Sequence, residues 1–373
     1  MRLAAFVDTR RTLLPCTGVG RHTNGVLLAL AALGKDHLTL LTGADQTESD
    51  GRLPQNAPLR ALPAVCAMRS ARRTEQWAKV SGLPLLDHAL PAGTDWIYSP
   101  HDILIASRKA PVAITFHDAR LFEPDLSARG AKAHARDAFM RSWMRRAADK
   151  ARIIFTVSDF SKARLVALMG LDPDKVVAVG NGLEPHVIAR AAAPAARQAD
   201  TVIVLGGLRR LKGGDVTLAV AERLLADGAA THIVSIGGPD DPELAARAAG
   251  LPNLTRAGFL SDSDLVEAMA GAVALLFPSR YEGFGMPPIE AMALGIPVIA
   301  ADRASLPQIV EGAAILIDPD SKNAAEQAVA ALHRLRYDET WRADLVARGY
   351  RVARQHTWEC VAERVRTALL AAS

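Results

Sequence analysis

One stretch carries most of the information in this chain: Pro278-Ser279-Arg280-Tyr281-Glu282-Gly283-Phe284-Gly285-Met286-Pro287-Pro288-Ile289-Glu290. An apolar run, residues 271–277, precedes it, and helix-forming residues follow it, so the pattern predicts a strand, a tight loop and a helix. Gly283 and Gly285 would let the backbone approach a ligand closely. A proline at 287 or 288 suits the first helical turn, where its missing N–H costs nothing.

Two carboxylates flank this loop. Glu282 precedes the glycines, and Glu290 is expected in the first turn of the helix, where backbone N–H groups attract anions. One carboxylate would accept hydrogen bonds from a ribose and the other from a sugar. Taken singly, each glutamate fits an ordinary solvated surface position. The hypothesis of a site therefore depends on the combination with Gly283, Phe284 and Gly285.

The combined Glu-Gly-Phe-Gly-x-Pro-x-x-Glu resembles the paired-glutamate motif of glycosyltransferase family 4, and the resemblance continues through residues 290–299. It implies the GT-B architecture, in which two Rossmann-like, doubly wound α/β domains face each other across a cleft that holds the ligands. It also implies that Glu282 contacts the donor sugar and Glu290 the ribose. Residues 304–310 resemble a further family segment, with Gln308 in place of a glutamate.

The rest of the chain fits two such domains. Short apolar runs alternate with helical patterns in both halves, which predicts parallel sheets covered on both faces. An Ala/Pro-rich segment without periodicity, 186–200, is predicted to be the linker. We expect an acceptor-binding domain over 1–185 and a nucleotide-sugar-binding domain over 201–345. The segment 346–373 is expected to be a C-terminal helix that crosses back to the first domain.

A glycine-rich turn follows the first predicted strand and reads Thr17-Gly18-Val19-Gly20-Arg21. It is not a dinucleotide fingerprint, because Thr23 replaces the third glycine and the second strand ends without an acid for a ribose. The turn is similar to the Gly-x-Gly-Arg turn of family 4. The resemblance implies that the backbone at Gly18 and Gly20 contacts donor phosphate or the acceptor, and a plain tight turn is the alternative.

A histidine and an aspartate, His117 and Asp118, close another predicted strand. A lone histidine in such a position is more often structural than catalytic. The pair resembles the His-Asp pair of family 4, which implies that His117 touches the donor sugar. Asp118 would then orient His117, or it would simply cap the following turn.

The loop over residues 205–213 contains Lys212 but no P-loop, since Gly213 follows the lysine where a Ser or Thr is required. It resembles the family 4 loop in which an arginine and a lysine clamp the donor diphosphate. Gly207 stands at the usual arginine position, so Arg209 or Arg210 would have to serve instead. Two cations would stabilise the charge that the leaving diphosphate gains. No Asp-x-Asp motif stands where the other glycosyltransferase architecture has one, so we expect no metal and no cofactor.

Composition fits this interpretation. The chain has 373 residues, of which 50% are hydrophobic and 23% charged, enough for two globular domains with full cores. Its three cysteines, Cys16, Cys66 and Cys360, form no Cys-x-x-Cys pair, which indicates a reducing cytoplasm and no structural metal. No signal peptide is evident, and the uncharged runs are shorter than the roughly 18 residues of a spanning helix.

The positive charge lies in the first half. Residues 1–185 contain 25 Lys and Arg against 18 Asp and Glu, while the remainder contains 19 against 22. The basic excess clusters over 69–79 and 129–152, and in the second segment Phe139 and Trp143 fall at helical spacing among arginines. A basic helix with aromatic residues can lie on an anionic membrane surface, here the inner face of the cell membrane. The alternative is a solvated helix with its apolar stripe in the core. No nucleic-acid recognition motif is present.

The resemblance implies a retaining transfer from a nucleotide-diphosphate sugar, with a phosphate oxygen of the leaving group accepting the proton. The His-Asp pair, the Ser-Leu-Pro segment and residues 312–319 are most similar to mannosyltransferases of bacterial surface polysaccharide assembly. GDP-mannose and a lipid-linked acceptor are therefore the expected substrates. Two alternatives remain open: an epimerase of nucleotide sugars on the same scaffold, and a non-catalytic carbohydrate-binding protein.

Overall fold

The computed structural model describes residues 1–13, 17–81, 83, 85–103, 105–126, 130–192 and 200–373. These residues form two compact units, Met1–Gly182 with Thr357–Ser373, and Leu183–His356. Each unit is an α/β unit built on a parallel sheet. Short 3-10 helices occur at Ala44–Gln46, Arg120–Phe122, Pro124–Leu126, Pro173–Lys175 and Arg210–Lys212.

The first unit contains a sheet of seven parallel strands in the order β3-β2-β1-β4-β5-β6-β7. The strands are β1 (Arg2–Phe6), β2 (His37–Gly43), β3 (Ala64–Met68), β4 (Trp96–Ser99), β5 (Val112–Thr115), β6 (Ile153–Thr156) and β7 (Val176–Ala178). Alternate residues of a strand point to opposite faces. Accordingly, Ala4 and Phe6 of β1 belong to one core cluster, and Leu3 and Ala5 to the cluster on the other face.

Helices cover both faces of this sheet: α1 (Thr9–Thr12), α2 (Gly18–Ala32), α3 (Ala71–Ser81), α4 (Ala131–Lys150), α5 (Asp159–Met169) and, from the end of the chain, a helix at Trp358–Ala371. That last helix packs on α2, where Val365 and Leu369 share a core cluster with Leu27 and Leu30. The sequence over β3 and α3 does not by itself predict a strand and a helix. Their alternating or small-residue patterns are too weak to distinguish from loops.

The second unit contains six parallel strands in the order β10-β9-β8-β11-β12-β13. They are β8 (Thr201–Leu205), β9 (His232–Ile236), β10 (Leu254–Gly258), β11 (Ala274–Phe277), β12 (Val298–Ala301) and β13 (Ile315–Ile317). The helices are α6 (Pro185–Ala191), α7 (Gly214–Ala226), α8 (Pro242–Ala248), α9 (Asp262–Ala270), α10 (Met286–Ala293), α11 (Leu306–Val310), α12 (Ala324–Tyr337) and α13 (Glu339–Ala353), so the terminal helix is α14.

The unit boundaries differ from the predicted ones. The second unit begins at Leu183, and α6, inside the predicted linker, packs on α9 and α10, with Arg190 Nε 2.6 Å from Glu267 Oε1. Residues 193–199 of that linker lie outside the described residues. The segment 346–373 is divided, because residues up to His356 stay with the second unit and only Thr357–Ser373 joins the first.

Helix α4 matches the solvated alternative for most of its length. Trp143, predicted as part of an amphipathic stripe, is buried in the core together with Met144, whereas Phe139 is exposed. Arg129, at the start of the basic segment, lies outside the described residues. Among the residues that the structure describes, no helix combines the length and apolar character needed to span a bilayer.

Candidate active site

The strand order of the second unit creates a switch point between β8 and β11. From β8 the chain winds outward through β9 and β10, and from β11 it winds the other way through β12 and β13. Strands β8 and β11 pair in parallel, so the loops after them start at the same edge of the sheet. Ligands of doubly wound sheets bind at this edge, at such a switch point. The loop after β8 carries Lys212, and the loop after β11 carries Glu282.

The structure brings these two predicted residues into direct contact. Lys212 Nζ lies 2.5 Å from Glu282 Oε1, and the two side chains are 21% and 15% exposed. The ammonium group also lies over the Phe277 ring, 6.0 Å from its centroid. An ammonium has three N–H donors, and Glu282 takes one of them. The pair therefore presents a cation and an anion side by side at the edge where a ligand is expected.

Gly213 allows this contact to form. Its φ of 72° is left-handed, and a Cβ at this position would lie 2.2 Å from the carbonyl oxygen of Pro278. The backbone next to Lys212 thus touches the backbone that leads to Glu282, and only glycine leaves room for both.

Arg280, which the sequence analysis did not single out, ties the same two loops together. Its guanidinium donates to both carboxylate oxygens of Asp215 at 2.8 and 2.9 Å and to the carbonyl of Arg210 at 2.6 Å. Its backbone N–H donates to the carbonyl of Leu211 at 2.9 Å. Arg280 therefore fixes the 3-10 turn that carries Lys212. The only sequence signal is its place two residues before Glu282.

The contact between Arg280 and Asp215 shifts the pKa values of both side chains. The hydrogen bond to Asp215 raises the pKa of Arg280 above its ordinary value. Burial would raise the pKa of Asp215, but the hydrogen bond and charge of Arg280 outweigh it and hold that pKa below 3.8. Asp320 adds a second carboxylate, whose Oδ1 lies 2.7 Å from Arg280 Nε. Arg280 and Asp215 are thus both charged at neutral pH.

Replacing Arg280 by methionine is expected to lower the free energy of unfolding by roughly 2–4 kcal/mol at pH 7, because Asp215 loses its bidentate partner. Asp215 has a depressed folded pKa, so its stabilisation is complete above about pH 4 and is lost as the pH falls through the folded pKa. Urea unfolding of both proteins between pH 7 and pH 2 should therefore show the difference shrinking below about pH 4. A difference independent of pH would contradict the ion-pair explanation.

The two arginines predicted to clamp a diphosphate have other contacts. Arg209 Nε donates to the carbonyl of Gly206 at 3.0 Å, within its own loop. Arg210 forms an exposed ion pair, 2.8 Å long, with Glu243. Neither contact involves Lys212 or Glu282, so the role of each arginine stays a prediction.

Packing on α11 holds the glycine-rich loop. Gly285 has a φ of 100°, and a Cβ there would lie 2.6 Å from Leu306 Cδ2, so glycine is required by this packing as well as by any ligand. The buried hydroxyl of Ser305 lies 2.9 and 2.8 Å from the carbonyl oxygens of Glu282 and Phe284, which share its single O–H donor. Ser305 is a second residue that the sequence analysis did not assign, and it fixes the backbone at Glu282.

Glu290 lies further into the helix than predicted. Helix α10 begins at Met286 and places Pro287 and Pro288 at its second and third positions, so Glu290 falls in the second turn. Prolines have no N–H, and the N-terminus of α10 therefore offers fewer donors to an anion than predicted. The prediction of a first-turn Glu290 is wrong. The residue is nevertheless buried rather than solvated. Gly283, in the same loop, is half-buried.

In the first unit, His117 follows β5 at the carboxyl edge of the sheet. Its Nε2 lies 3.3 Å from the carbonyl oxygen of Pro100, and because a carbonyl only accepts, Nε2 carries the proton. Burial lowers the pKa of His117 to about 4, so the ring is neutral at pH 7. The ring is only partly covered, which leaves Nδ1 as an acceptor for a hydroxyl.

A second histidine, His22, supports His117 and was not predicted. The two rings meet edge to face with centroids 4.9 Å apart, and His22 Nδ1 lies 2.7 Å from Asn181 Oδ1. Burial, reinforced by the neighbouring His117, lowers the pKa of His22 to about 3, so it also stays neutral. The only sequence signal was its position directly after the Gly-x-Gly-Arg turn.

The remaining predicted residues of this unit are placed as follows. Asp118 Oδ1 accepts a hydrogen bond from the backbone N–H of Arg120 at 2.9 Å. Asp118 therefore caps the following turn, which was the second of its two predicted roles. Helix α2 already begins at Gly18, so both glycines lie in its first turn. Gly18 is exposed and a Cβ there would meet no described atom within 4 Å, whereas Gly20 is buried. Among the described residues, no cluster of His, Cys, Asp or Glu is arranged to hold a metal ion.

Comparisons with known proteins bear on both units. Residues 17–187 match the profile described as Glycosyltransferase Family 4, and residues 199–334 match the one described as Glycosyl transferases group 1. O-antigen chain mannosyltransferase B of Escherichia coli is 27% identical over 377 aligned residues, covering 92% of this chain and 93% of its own. A D-inositol 3-phosphate glycosyltransferase of Nocardioides sp. is 27% identical over 58% of this chain and 53% of its own.

Solved structures agree on the fold. Sucrose-phosphate synthase from Thermosynechococcus elongatus superposes with a TM-score of 0.70 at 19% identity, covering 100% of both chains. The glycosyltransferase WaaG, involved in lipopolysaccharide biosynthesis, superposes with a TM-score of 0.66 at 18% identity, covering 98% of both chains.

Two doubly wound units of this kind define the GT-B fold class, which the superposed solved structures share. Residues 17–187 carry the Glycosyltransferase Family 4 profile and residues 199–334 the Glycosyl transferases group 1 profile, so the chain is a glycosyltransferase.

Proposed function

We propose that this glycosyltransferase moves mannose from GDP-mannose to a lipid-linked or saccharide acceptor in the assembly of surface polysaccharide or glycolipid, with retention of configuration. The contact between Lys212 and Glu282 carries the proposal of a donor site. The choice of mannose is supported by the E. coli O-antigen chain mannosyltransferase B, which aligns over most of this chain. The acceptor class is supported by the same relative and by WaaG.

In this proposal, Lys212 stabilises the leaving group. The bond between the anomeric carbon and the diphosphate oxygen breaks, and negative charge builds up on the diphosphate. The Lys212 ammonium already stands beside a carboxylate, so a phosphate oxygen would compete with Glu282 for its donors. Arg209, which is half-buried and forms no ion pair with another described residue, would supply the second cation. A cationic clamp of this kind makes a metal unnecessary.

The acceptor hydroxyl would attack the anomeric carbon on the face that the diphosphate leaves. Its oxygen forms the new glycosidic bond, and its proton passes to an oxygen of the departing phosphate, so no separate base is required. Glu282 would hold the donor sugar, Glu290 the ribose, and the neutral ring of His117 a sugar hydroxyl. Gly283, Phe284 and Gly285 would line the donor site.

A thermal-shift panel with GDP, UDP, ADP and TDP tests the donor assignment. A ligand that binds only the native state adds about 2.7 kcal/mol at 100 times its Kd, so the melting temperature should rise with GDP. Glu290→Ala should abolish the rise, while Glu339→Ala, at a carboxylate that is 88% exposed on α13, should keep it. Selective stabilisation by UDP would discard mannose and retain the transferase. Absence of stabilisation by every nucleotide would contradict the donor site itself.

A further inference from the structure

The hydrogen bond that orients the His117 ring is a weak one. His117 Nε2 lies 3.3 Å from the carbonyl oxygen of Pro100, beyond the roughly 2.7–3.2 Å of a typical N–H···O bond. The hydroxyl of Thr23 lies 3.4 Å from the same oxygen and competes for it. A neutral imidazole has one donor and one acceptor nitrogen, so a flipped ring or the other tautomer would turn the wrong group towards a substrate hydroxyl. Further contacts must therefore fix this ring.

His22, on helix α2, provides such a contact. Its ring meets the His117 ring at 90° with the centroids 4.9 Å apart, which is the edge-to-face arrangement that aromatic rings favour. His22 is 1% exposed, and in a close-packed interior its ring turns only if its neighbours move. Rotation of the His117 ring would lose this edge-to-face contact, so the angle of one ring determines the angle of the other.

The two segments that connect the units hold His22 in turn. The chain leaves the first unit after Gly182 and returns to it at Thr357. One residue before the exit, Asn181 Oδ1 lies 2.7 Å from His22 Nδ1, and because an amide oxygen only accepts, Nδ1 carries the proton. One residue after the return, the Trp358 ring lies 5.8 Å from the His22 ring at an angle of 74°. Residues next to both connections therefore contact His22.

Two glycines let Trp358 come this close. A Cβ at Gly25 would lie 2.1 Å from Trp358 Cε2, and a Cβ at Gly182 would lie 2.3 Å from the backbone nitrogen of Trp358. Any larger residue at either position would push the tryptophan away from its place beside His22.

The second ring nitrogen of His22 shows that packing alone does not explain a histidine here. His22 Nε2 is buried, and within the described part of the chain no group forms a hydrogen bond with it. A buried acceptor without a donor destabilises the folded state, whereas a phenylalanine would fill the same space without that cost. What a phenylalanine could not supply is the Nδ1–H bond to Asn181, which fixes the angle of the ring.

We propose that His22 is a positioning residue for the transfer reaction. Anchored by Asn181 and Trp358, its ring keeps His117 in the orientation in which Nε2–H faces Pro100 and Nδ1 accepts from a sugar hydroxyl. Because the His22 ring is buried, it acts through His117 and not on the substrate. The inference rests on the proposed function, in which His117 contacts the donor sugar.

Three variants separate the ring of His22 from its hydrogen bond. His22→Ala removes the ring and should lower kcat roughly 10- to 100-fold, because a small misplacement of a substrate contact costs that much. His22→Phe combined with Asn181→Leu keeps a ring and removes both hydrogen-bonding partners. This double variant should unfold close to the wild-type melting temperature and lose kcat by a smaller factor, roughly 3- to 10-fold. His37→Ala, at an exposed histidine that begins β2, is the matched control and should keep the wild-type kcat. Affinity for free GDP should stay at the wild-type value in all of them.

The tautomer of His117 is a readout that a merely structural role of His22 would not change. Nitrogen-15 NMR of protein labelled at histidine shows which ring nitrogen carries the proton, and the signal missing from His117→Gln assigns it. The wild type should show His117 with the proton on Nε2, and His22→Ala should show a mixture of the two tautomers. An unchanged kcat in His22→Ala would overturn the proposal. So would a lowered kcat with the His117 proton still entirely on Nε2, which would make His22 a structural residue only.

The kinetics of His117→Gln distinguish failure of this inference from failure of the proposed function. If His117→Gln kept the wild-type kcat, the proposed contact between His117 and the donor sugar would be wrong, and the role of His22 would be wrong with it. If His117→Gln lost activity while His22→Ala kept it, only the positioning role of His22 would be wrong.

Discussion

Replacing Lys212 by alanine is expected to lower kcat roughly 100- to 1,000-fold, because the proposed mechanism then loses the preorganised cation that stabilises the leaving diphosphate. Lys212 reaches the switch point of the second unit and is held there by Glu282, so its charge is in place before the donor binds. If the lysine acts on the transition state, Lys212→Ala should lower kcat by a larger factor than it lowers the affinity for free GDP. Steady-state kinetics with GDP-mannose, combined with GDP titration, measures both quantities.

Two further variants test which side chain supplies the positive charge of the proposed clamp. Lys212→Arg keeps a cation near Glu282 and should recover part of the lost kcat, although its planar fork will not reproduce the ammonium. Arg210→Ala removes an exposed arginine that pairs with Glu243, and it should change kcat less than threefold. If Arg210→Ala were as damaging as Lys212→Ala, the clamp would have to be reassigned to Arg210.

The sequence was sufficient for the fold class because both halves repeat a strong local pattern. Each buried strand such as β8 or β11 is a short apolar run, and parallel strands buried on both faces need no partner information to be recognised. Strand β10 cannot be predicted in the same way. It lies at the sheet edge, where Thr255 and Arg256 are exposed, so its sequence is not an apolar run. Its composition resembles a loop.

Site residues were predictable only where they belong to a compact motif. Glu282 and Lys212 stand next to glycines that mark their loops, whereas Arg280, Ser305 and His22 act through partners distant in sequence. Arg280 contacts Asp215 across 65 residues, and His22 contacts Asn181 across 159. No local pattern encodes such distances, so these supporting residues required the three-dimensional structure.

Helical periodicity gives an apolar face but does not say what that face contacts. For α4 the spacing of Phe139 and Trp143 suggested a membrane helix, yet Trp143 is buried in the core of the first unit. Helix α3 is shorter than α4, and small residues such as Ala71 and Ala78 take its buried positions, so its sequence has no clear apolar face. The direction of each face depends on which side of the helix the sheet occupies, and that depends on the topology.

Replacing Gly213 by alanine is expected to destabilise the second unit and to abolish nucleotide binding. The left-handed backbone at φ 72° costs a non-glycine residue about 1–2 kcal/mol. The added Cβ would also lie 2.2 Å from the carbonyl oxygen of Pro278, so the backbone must move apart at a further cost of about 1–3 kcal/mol. Since about 1 kcal/mol shifts the melting temperature by roughly 2–4 °C for a unit of this size, a decrease of about 4–20 °C should follow.

Gly228→Ala is the matched control for this variant. Gly228 has a similar φ of 65°, but a Cβ there would meet no atom within 4 Å, so only the conformational cost applies. Its melting temperature should decrease by about 2–8 °C, and GDP should still stabilise it. The difference between the two variants isolates the contact between the two loops. If Gly213→Ala bound GDP as Gly228→Ala does, close packing at Pro278 would not be what brings Lys212 to Glu282, and the donor site would have to be assembled by Arg280 and Ser305 alone.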